Sequence, residues 1–222
     1  MQEVERNLRV IQVDIVNECK KNMGYFIIKK IIDVVGALCG ILLLSPVMIV
    51  VAIWIKLDSK GPVFFGQNRV GQGGKAFKMY KFRSMCTDAE CLLEELRGKN
   101  EMSGPMFKMK EDPRITKVGR FIRNMSIDEL PQLFNILNGE MSIVGPRPSL
   151  PKEVAQFTSL QKQRLIAKPG LTCYWQVRGR SDVSFEEWME MDIEYLAHRS
   201  TFVDIGLIFK TVRVLFGDKG AR

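Results

Sequence analysis

Asp128 and Glu129 stand side by side in the stretch from Ser126 to Asn138, and they are the residues best placed to do chemistry. Leu130, Leu133, Phe134 and Leu137 recur at helical spacing, which predicts an amphipathic helix with one buried stripe. Ser126 is a suitable N-cap, and Glu129 three residues later completes a capping box. Asn138-Gly139 supplies the stop. Asp128 then falls in the first turn, where free backbone N–H groups and the positive end of the dipole favour a carboxylate or a phosphate. Two acids there can equally do no more than complement the dipole, so the surrounding chain has to decide.

Composition narrows the chemistry. The chain has one histidine, His198, so a His-based triad is open but a multi-His metal site is not. Its five cysteines, Cys19, Cys39, Cys86, Cys91 and Cys173, form no C-x-x-C pair and are odd in number. That points to reduced cytosolic thiols rather than a disulfide framework or a zinc site. Demanding catalysis therefore falls to carboxylates. A net charge of +8 over 222 residues calls for an anionic partner: nucleic acid, a phosphorylated ligand or an anionic membrane surface. A solvated basic surface is the plain alternative. Nucleic acid is poorly supported, because the aromatics lie in apolar stripes rather than among the basic clusters.

Several elements would have to position the two acids. Ile115 to Arg123 reads as a short helix with Val118, Phe121 and Ile122 inward. Lys117, Arg120 and Arg123 share its outer face and lead straight into Asp128. Val63–Phe65 and Phe77–Tyr80 read as strands around the turn Gly71–Gly74, with Lys81 and Arg83 at the strand end. A strand through Met141–Val144 runs into Pro146-Arg147-Pro148, whose prolines restrict the backbone of Arg147. Such restriction is useful where an anion must be met in one geometry. Asp88 to Lys99 and Glu153 to Ile166 read as helices, and Pro169 to Arg180 as a turn, a short aromatic strand and a basic loop. Phe185–His198 and Val203–Phe216 are amphipathic, suited to a membrane interface or to ordinary core packing.

Tyr25 to Leu57 is the most apolar part of the chain, and Val34 to Ile55 carries no charge. That run of about 22 residues would be about 33 Å long as a helix, enough to span a bilayer. Ser45-Pro46 lies at its centre, and Pro46 removes a backbone donor and clashes with the carbonyl of Leu42. Basic residues flank both ends: Lys20, Lys21, Lys29 and Lys30 before, Lys56 and Lys60 after. Cytoplasmic positive charge on both sides favours a re-entrant helix-break-helix that enters and leaves by one face. A kinked span and a buried core helix are the alternatives. Asp33 near the entrance calls for a partner, Lys29 or Lys30. The chain thus divides into an N-terminal arm (1–24), a membrane hairpin (25–58) and a cytosolic domain (59–222).

In this order the pieces resemble the bacterial sugar transferases that are small monotopic polyprenyl-phosphate phosphoglycosyl transferases. The likeness covers about residues 27–216. It runs through Lys30-x-x-Asp33, Ser45-Pro46, Gly61-Pro62-Val63-Phe64-Phe65-x-Gln67-x-Arg69-x-Gly71 and Lys81-Phe82-Arg83-Ser84-Met85. It continues through Asp112-Pro113-Arg114-Ile115-Thr116, Gly119-Arg120, Ser126–Leu133 and Val144-Gly145-Pro146-Arg147-Pro148, and closes with Pro169–Thr172 and Trp175-Gln176-Val177.

The resemblance implies an α/β fold that is predominantly helical, with a small β-hairpin or sheet. The re-entrant hairpin at Ser45-Pro46 and interfacial amphipathic helices would hold the catalytic domain on the cytoplasmic face of a bacterial inner membrane. Asp128 would be a nucleophile, and Glu129 would help to hold Mg²⁺. Lys81, Arg83, Arg114, Arg120, Arg147 and Arg180 would bind substrate phosphates. The implied reaction moves a sugar 1-phosphate from a UDP-sugar to polyprenyl phosphate and releases UMP. Longer relatives have extra membrane helices where this chain has a short arm, so a separate regulatory domain is not expected. The sugar and the oligomeric state, a homodimer included, are left open.

Overall fold

The computed structural model describes residues 22–96, 98, 100, 107, 109, 111–178 and 183–215. A long helix, α1 (Met23–Asp58), precedes a hairpin of β1 (Phe64–Val70) and β2 (Ala76–Phe82). Three helices follow: α2 (Ala89–Leu96), α3 (Lys117–Asn124) and α4 (Gln132–Leu137). Next come β3 (Ser142–Val144), α5 (Pro151–Val154), α6 (Ser159–Lys162) and β4 (Gly170–Thr172). The helices α7 (Tyr174–Arg178), α8 (Phe185–His198) and α9 (Thr201–Leu215) end the described chain. The fold is thus mostly helical, with an antiparallel β1–β2 hairpin and a parallel β3–β4 pair.

Helix α1 stays helical through Ser45-Pro46, where the sequence favoured a break. The reason is local. Pro46 has no N–H for the carbonyl of Leu42, four residues earlier, and the Ser45 hydroxyl donates to that same carbonyl at 2.9 Å. The orphaned acceptor is satisfied without the helix opening.

Both ends of α1 rest on the same body. At its start, Lys29 Nζ donates to Asp204 Oδ2 of α9 at 2.7 Å and to the Val144 carbonyl at 2.8 Å. At its end, Asp58 Oδ2 accepts from the Val118 amide of α3 at 3.3 Å. In between, Ala37 packs with Met79, Leu133, Ile136 and Met141, while Met48, Val51 and Ile55 pack with Phe82, Val118 and Ile122. Asp33 takes neither Lys29 nor Lys30 as its hydrogen-bonding partner. It accepts from the Ser142 hydroxyl at 2.9 Å and the Ile143 amide at 2.8 Å, a more complete solution for a buried carboxylate at the start of a short strand. The opposite face of α1 is apolar and open, with Leu42 and Leu43 73% and 78% exposed beside the Ser-Pro pair.

Two other segments depart from the sequence reading. Glu153–Ile166 is broken into α5, α6 and a 3-10 turn, because Thr158 and Gln161 form a capping box that starts a new helix. The aromatic segment after Thr172 is helix α7 rather than strand, since β4 ends there. Helices α8 and α9 lie where the periodicity predicts, and α9 exposes Phe202, Ile205, Phe209 and Val212. His198 lies on the surface at the end of α8, and Cys39, Cys86, Cys91 and Cys173 are all free thiols.

Candidate active site

The approach to Asp128 begins at α3. Thr116 caps it by accepting from the Gly119 amide at 2.9 Å. Gly119 lies so close to the Ser84 carbonyl that any Cβ would collide with it, which seats α3 directly after the β2 strand. The chain then turns at Ser126, whose φ of 56° makes it the one non-glycine with positive φ among the described residues. Its side chain makes no capping bond, so the expected capping box is not formed. Residues Ile127–Glu129 form a single 3-10 turn, and the helix proper starts only at Gln132, after Pro131. A helix dipole beginning at Ser126 is therefore not what faces Asp128.

That shift also changes the buried stripe. Leu133 and Ile136 face the core, while Phe134 is 42% exposed. Asn135, wholly buried, ties α4 to β2: its Oδ1 accepts from the Tyr80 amide at 2.9 Å. Its Nδ2 donates to the Lys78 carbonyl at 2.8 Å and to Glu140 Oε2 at 2.7 Å. This stitch brings Lys81 over the acid pair.

Lys81 Nζ lies 2.7 Å from Glu129 Oε1 and 3.8 Å from Asp128 Oδ2. Arg147 Nη1 donates to the same Glu129 oxygen at 3.2 Å, and its guanidinium lies over the Trp175 ring, 5.3 Å from the centroid. The two carboxylates respond differently. For Glu129 burial disfavours the charge, but Lys81 and Arg147 outweigh it and hold the carboxyl down to about 2. Burial pushes the Asp128 carboxyl up, with Glu129 adding to the rise and Lys81, Arg123 and Arg147 opposing it. One acid is thus a fixed anion and the other a desolvated, raised carboxylate, the separation expected where two acids have different tasks.

The other cations singled out from the sequence are distributed differently. Arg83 donates to the carbonyls of Ser59 and Lys60 at 2.7 and 2.9 Å, closing the end of α1. Arg114 forms a two-pronged pair with Asp112 at 2.9 and 2.6 Å and also donates to the Ala89 carbonyl. Arg120 lies exposed on α3, and Arg180 falls outside the described residues. Two arginines join the site instead. Arg123, on the same α3 face as Arg120, acts on the Asp128 carboxyl. Arg69 of β1 is pushed down to about 10, by burial first and then by Arg147, with Glu153 and Glu129 opposing. The sequence signal for Arg123 was its place at the end of the basic face, nearest Asp128; that for Arg69 was its place in the Gly61–Gly71 motif, which by itself assigned it no role.

Among the described residues no three His, Cys, Asp or Glu side chains gather as a metal cage. Mg²⁺ is commonly held by one or two carboxylates and completes its shell with substrate phosphate and water, a donor chemistry that the Glu129 carboxylate matches.

The family model described as bacterial sugar transferase matches residues 24–218. The chain is 45% identical over 200 residues to the galactosyl transferase CpsE of Streptococcus agalactiae, covering 90% of this chain and 44% of that protein. It is 41% identical over 217 residues to the undecaprenyl-phosphate galactose phosphotransferase of Salmonella typhimurium, covering 96% and 45%. With the exopolysaccharide production protein ExoY of Rhizobium meliloti it shares 39% identity over 197 residues, 87% of each. The chain therefore spans less than half of the first two relatives and most of the third. A family match that runs from α1 to beyond α9 means that this chain belongs to the bacterial sugar transferases.

Proposed function

We propose that this protein transfers a sugar 1-phosphate from a UDP-sugar to a polyprenyl phosphate at the cytoplasmic face of a bacterial inner membrane. The observation that carries the reading is the acid pair: a buried, raised Asp128 next to a Glu129 held as an anion by Lys81 and Arg147. Relatives named as undecaprenyl-phosphate galactose and glucose phosphotransferases support the substrate class.

In this mechanism an Asp128 carboxylate oxygen attacks the phosphorus that carries the sugar. The bond from that phosphorus to the bridging oxygen breaks, and UMP leaves with the electron pair. The aspartyl phosphosugar is then attacked by the polyprenyl phosphate, which regenerates the carboxylate and yields the diphosphate-linked sugar. A carboxylate approaching an anionic diphosphate needs positive charge around it, and Lys81, Arg123 and Arg147 supply it in a partly water-excluded setting. Glu129 would hold Mg²⁺, which when bound offsets phosphate charge.

The membrane reading is supported by α1, whose two ends both engage the catalytic body while its outer face is apolar. A helix used as a simple span would carry one end away from that body. The lipid phosphate would then meet Asp128 at headgroup depth.

The test is purified protein in detergent with a panel of UDP-sugars and no lipid acceptor. UMP release stoichiometric with enzyme, from one UDP-sugar and lost in Asp128→Asn, is expected. UMP released only when polyprenyl phosphate is added would overturn the covalent route and leave Asp128 as a base in a single displacement.

A further inference from the structure

The corner that carries Arg147 is fixed in an unusual way. Pro146 and Pro148 have no N–H, so this segment cannot be held by donating from those positions. It is held by its carbonyls, and every one from Pro146 to Ser149 has a donor. The Pro146 carbonyl accepts from the Gly170 amide and the Ser149 carbonyl from the Val70 amide, both at 2.9 Å. The Pro148 carbonyl accepts from Arg69 Nη1 at 3.0 Å. The Arg147 carbonyl accepts from Arg164 Nη2 at 2.6 Å, and Arg164 Nη1 donates to the Ser149 hydroxyl at 2.7 Å.

Arg164 is buried to 3% exposure, lies against the rings of Trp188 and Phe157, and has Asp192 Oδ2 of α8 at 2.6 Å. Asp192 has no exposure at all. A buried charge pair of this kind contributes little net stability, so its presence asks for a role in geometry. It connects toward the acid pair through the corner: Arg164 holds the Arg147 carbonyl, and the Arg147 guanidinium holds Glu129. Trp175, under Arg147, packs on Trp188, over Arg164, with centroids 5.2 Å apart.

We infer that Arg164 and Asp192 are positioning residues for the transfer reaction: Asp192 orients Arg164, and Arg164 fixes the backbone of Arg147 so that its side chain meets Glu129 in one geometry. Neither touches the acids. The inference rests on the proposed function only for its kinetic consequence; the geometric claim stands apart from it. Burial pushes the Asp192 carboxyl up to about 6, with Arg164 opposing.

The test uses the full chain and has two arms. In the first, hydrogen exchange is followed by mass spectrometry in peptides covering 144–150 and, as control, 132–137. Asp192→Asn is expected to raise exchange in 144–150 and leave 132–137 unchanged. Because that variant leaves the Arg164 charge buried beside a neutral group and can fail to fold, Ser149→Ala is run beside it; it removes one acceptor of Arg164 without stranding a charge. Unchanged exchange over 144–150 in folded Ser149→Ala or Asp192→Asn overturns the inference, whatever reaction the protein performs.

In the second arm kcat/KM for UMP release is measured in a double-mutant cycle with Arg147→Ala. Asp192→Asn alone is expected to lower kcat/KM about tenfold, within the roughly hundredfold loss that slight misplacement can produce. In the Arg147→Ala background it should cause no further loss, because the two changes break one connection. Losses that multiply in the double variant mean that Asp192 acts generally on the fold, and the inference fails while the transfer reaction stands. A wild-type protein that consumes no UDP-sugar sinks the reaction instead, and the exchange arm still decides the positioning claim.

Discussion

The Lys81 ammonium lies 2.7 Å from the Glu129 carboxylate, across 48 residues of sequence. One cation from a strand end thus sets the charge of one acid and, at 3.8 Å, tempers that of its neighbour Asp128. Glu129, held down to about 2, stays ionised over the working pH range. Asp128, raised by burial, is the acid that titrates.

The first prediction concerns pH. In the proposed mechanism attack requires ionised Asp128, so the acid limb of kcat/KM should lie above the roughly 3.9 of a free aspartate. Replacing Lys81 by Met removes the strongest influence opposing the rise, so the limb should move to higher pH and kcat should fall about a hundredfold. Lys81→Arg should restore the limb toward its original place. A limb that stays put in Lys81→Met argues that Asp128 is not the titrating group.

Glu129 makes a separate statement about stability. Its folded pKa is depressed below the unfolded value, so its contribution is present above about 4.5 and is lost as pH falls toward 2. The melting temperature of Glu129→Gln should therefore lie below wild type near pH 7, and the gap should narrow in that acid window. A gap that widens on acidification contradicts the ion pair with Lys81.

Ser126 is expected to accept glycine. Its left-handed backbone costs a non-glycine residue about 1 kcal/mol, and its side chain forms no cap that would be lost. Thermal melting of Ser126→Gly should be unchanged or a few degrees higher, with UMP release retained. A large drop in melting temperature means that the hydroxyl does cap the turn after all.

Arg83 and Arg147 should separate cleanly. Arg83→Ala opens the end of α1 and should lower the melting temperature, whereas Arg147→Ala should chiefly lower kcat/KM, by about a hundredfold. Equal effects of both on KM for the UDP-sugar would place Arg83 at the substrate after all.

The topology of α1 is tested by single cysteines, in a background without the native ones, at positions 24 and 60. Both should be modified by an impermeant thiol reagent in inverted membrane vesicles and neither in right-side-out vesicles. Modification of the two on opposite sides makes α1 a span.

Much was legible in the sequence because the signal was local. The β1–β2 hairpin, α2, α3, α8 and α9 follow from periodicity and turn residues, and each lies where side-chain spacing puts it. The acid pair stood out because a chain with a single histidine leaves few other groups for catalysis. The turn around Asp128 was not legible. Ser126 reads as a cap from its type and from Glu129 three residues on, yet the chain leaves α3, which is seated against Ser84, through a left-handed turn there. Nor could composition tell which arginines face the acids. Arg83 and Arg114 look equivalent to Arg147 in sequence, but their guanidiniums are consumed by carbonyls and by Asp112.

By itself, then, the sequence determined most of the helices and the β1–β2 hairpin, the apolar stretch, the excess of positive charge and the two adjacent carboxylates, all properties of neighbouring residues. Whereas the passage of α1 through Pro46 rests on the local bond from Ser45 to the Leu42 carbonyl, tertiary structure alone decided that both ends of α1 hold one body. It alone chose Lys81 and Arg147 for Glu129, because pairing across long separations depends on how packed elements fill space, and spacing along the chain does not encode that.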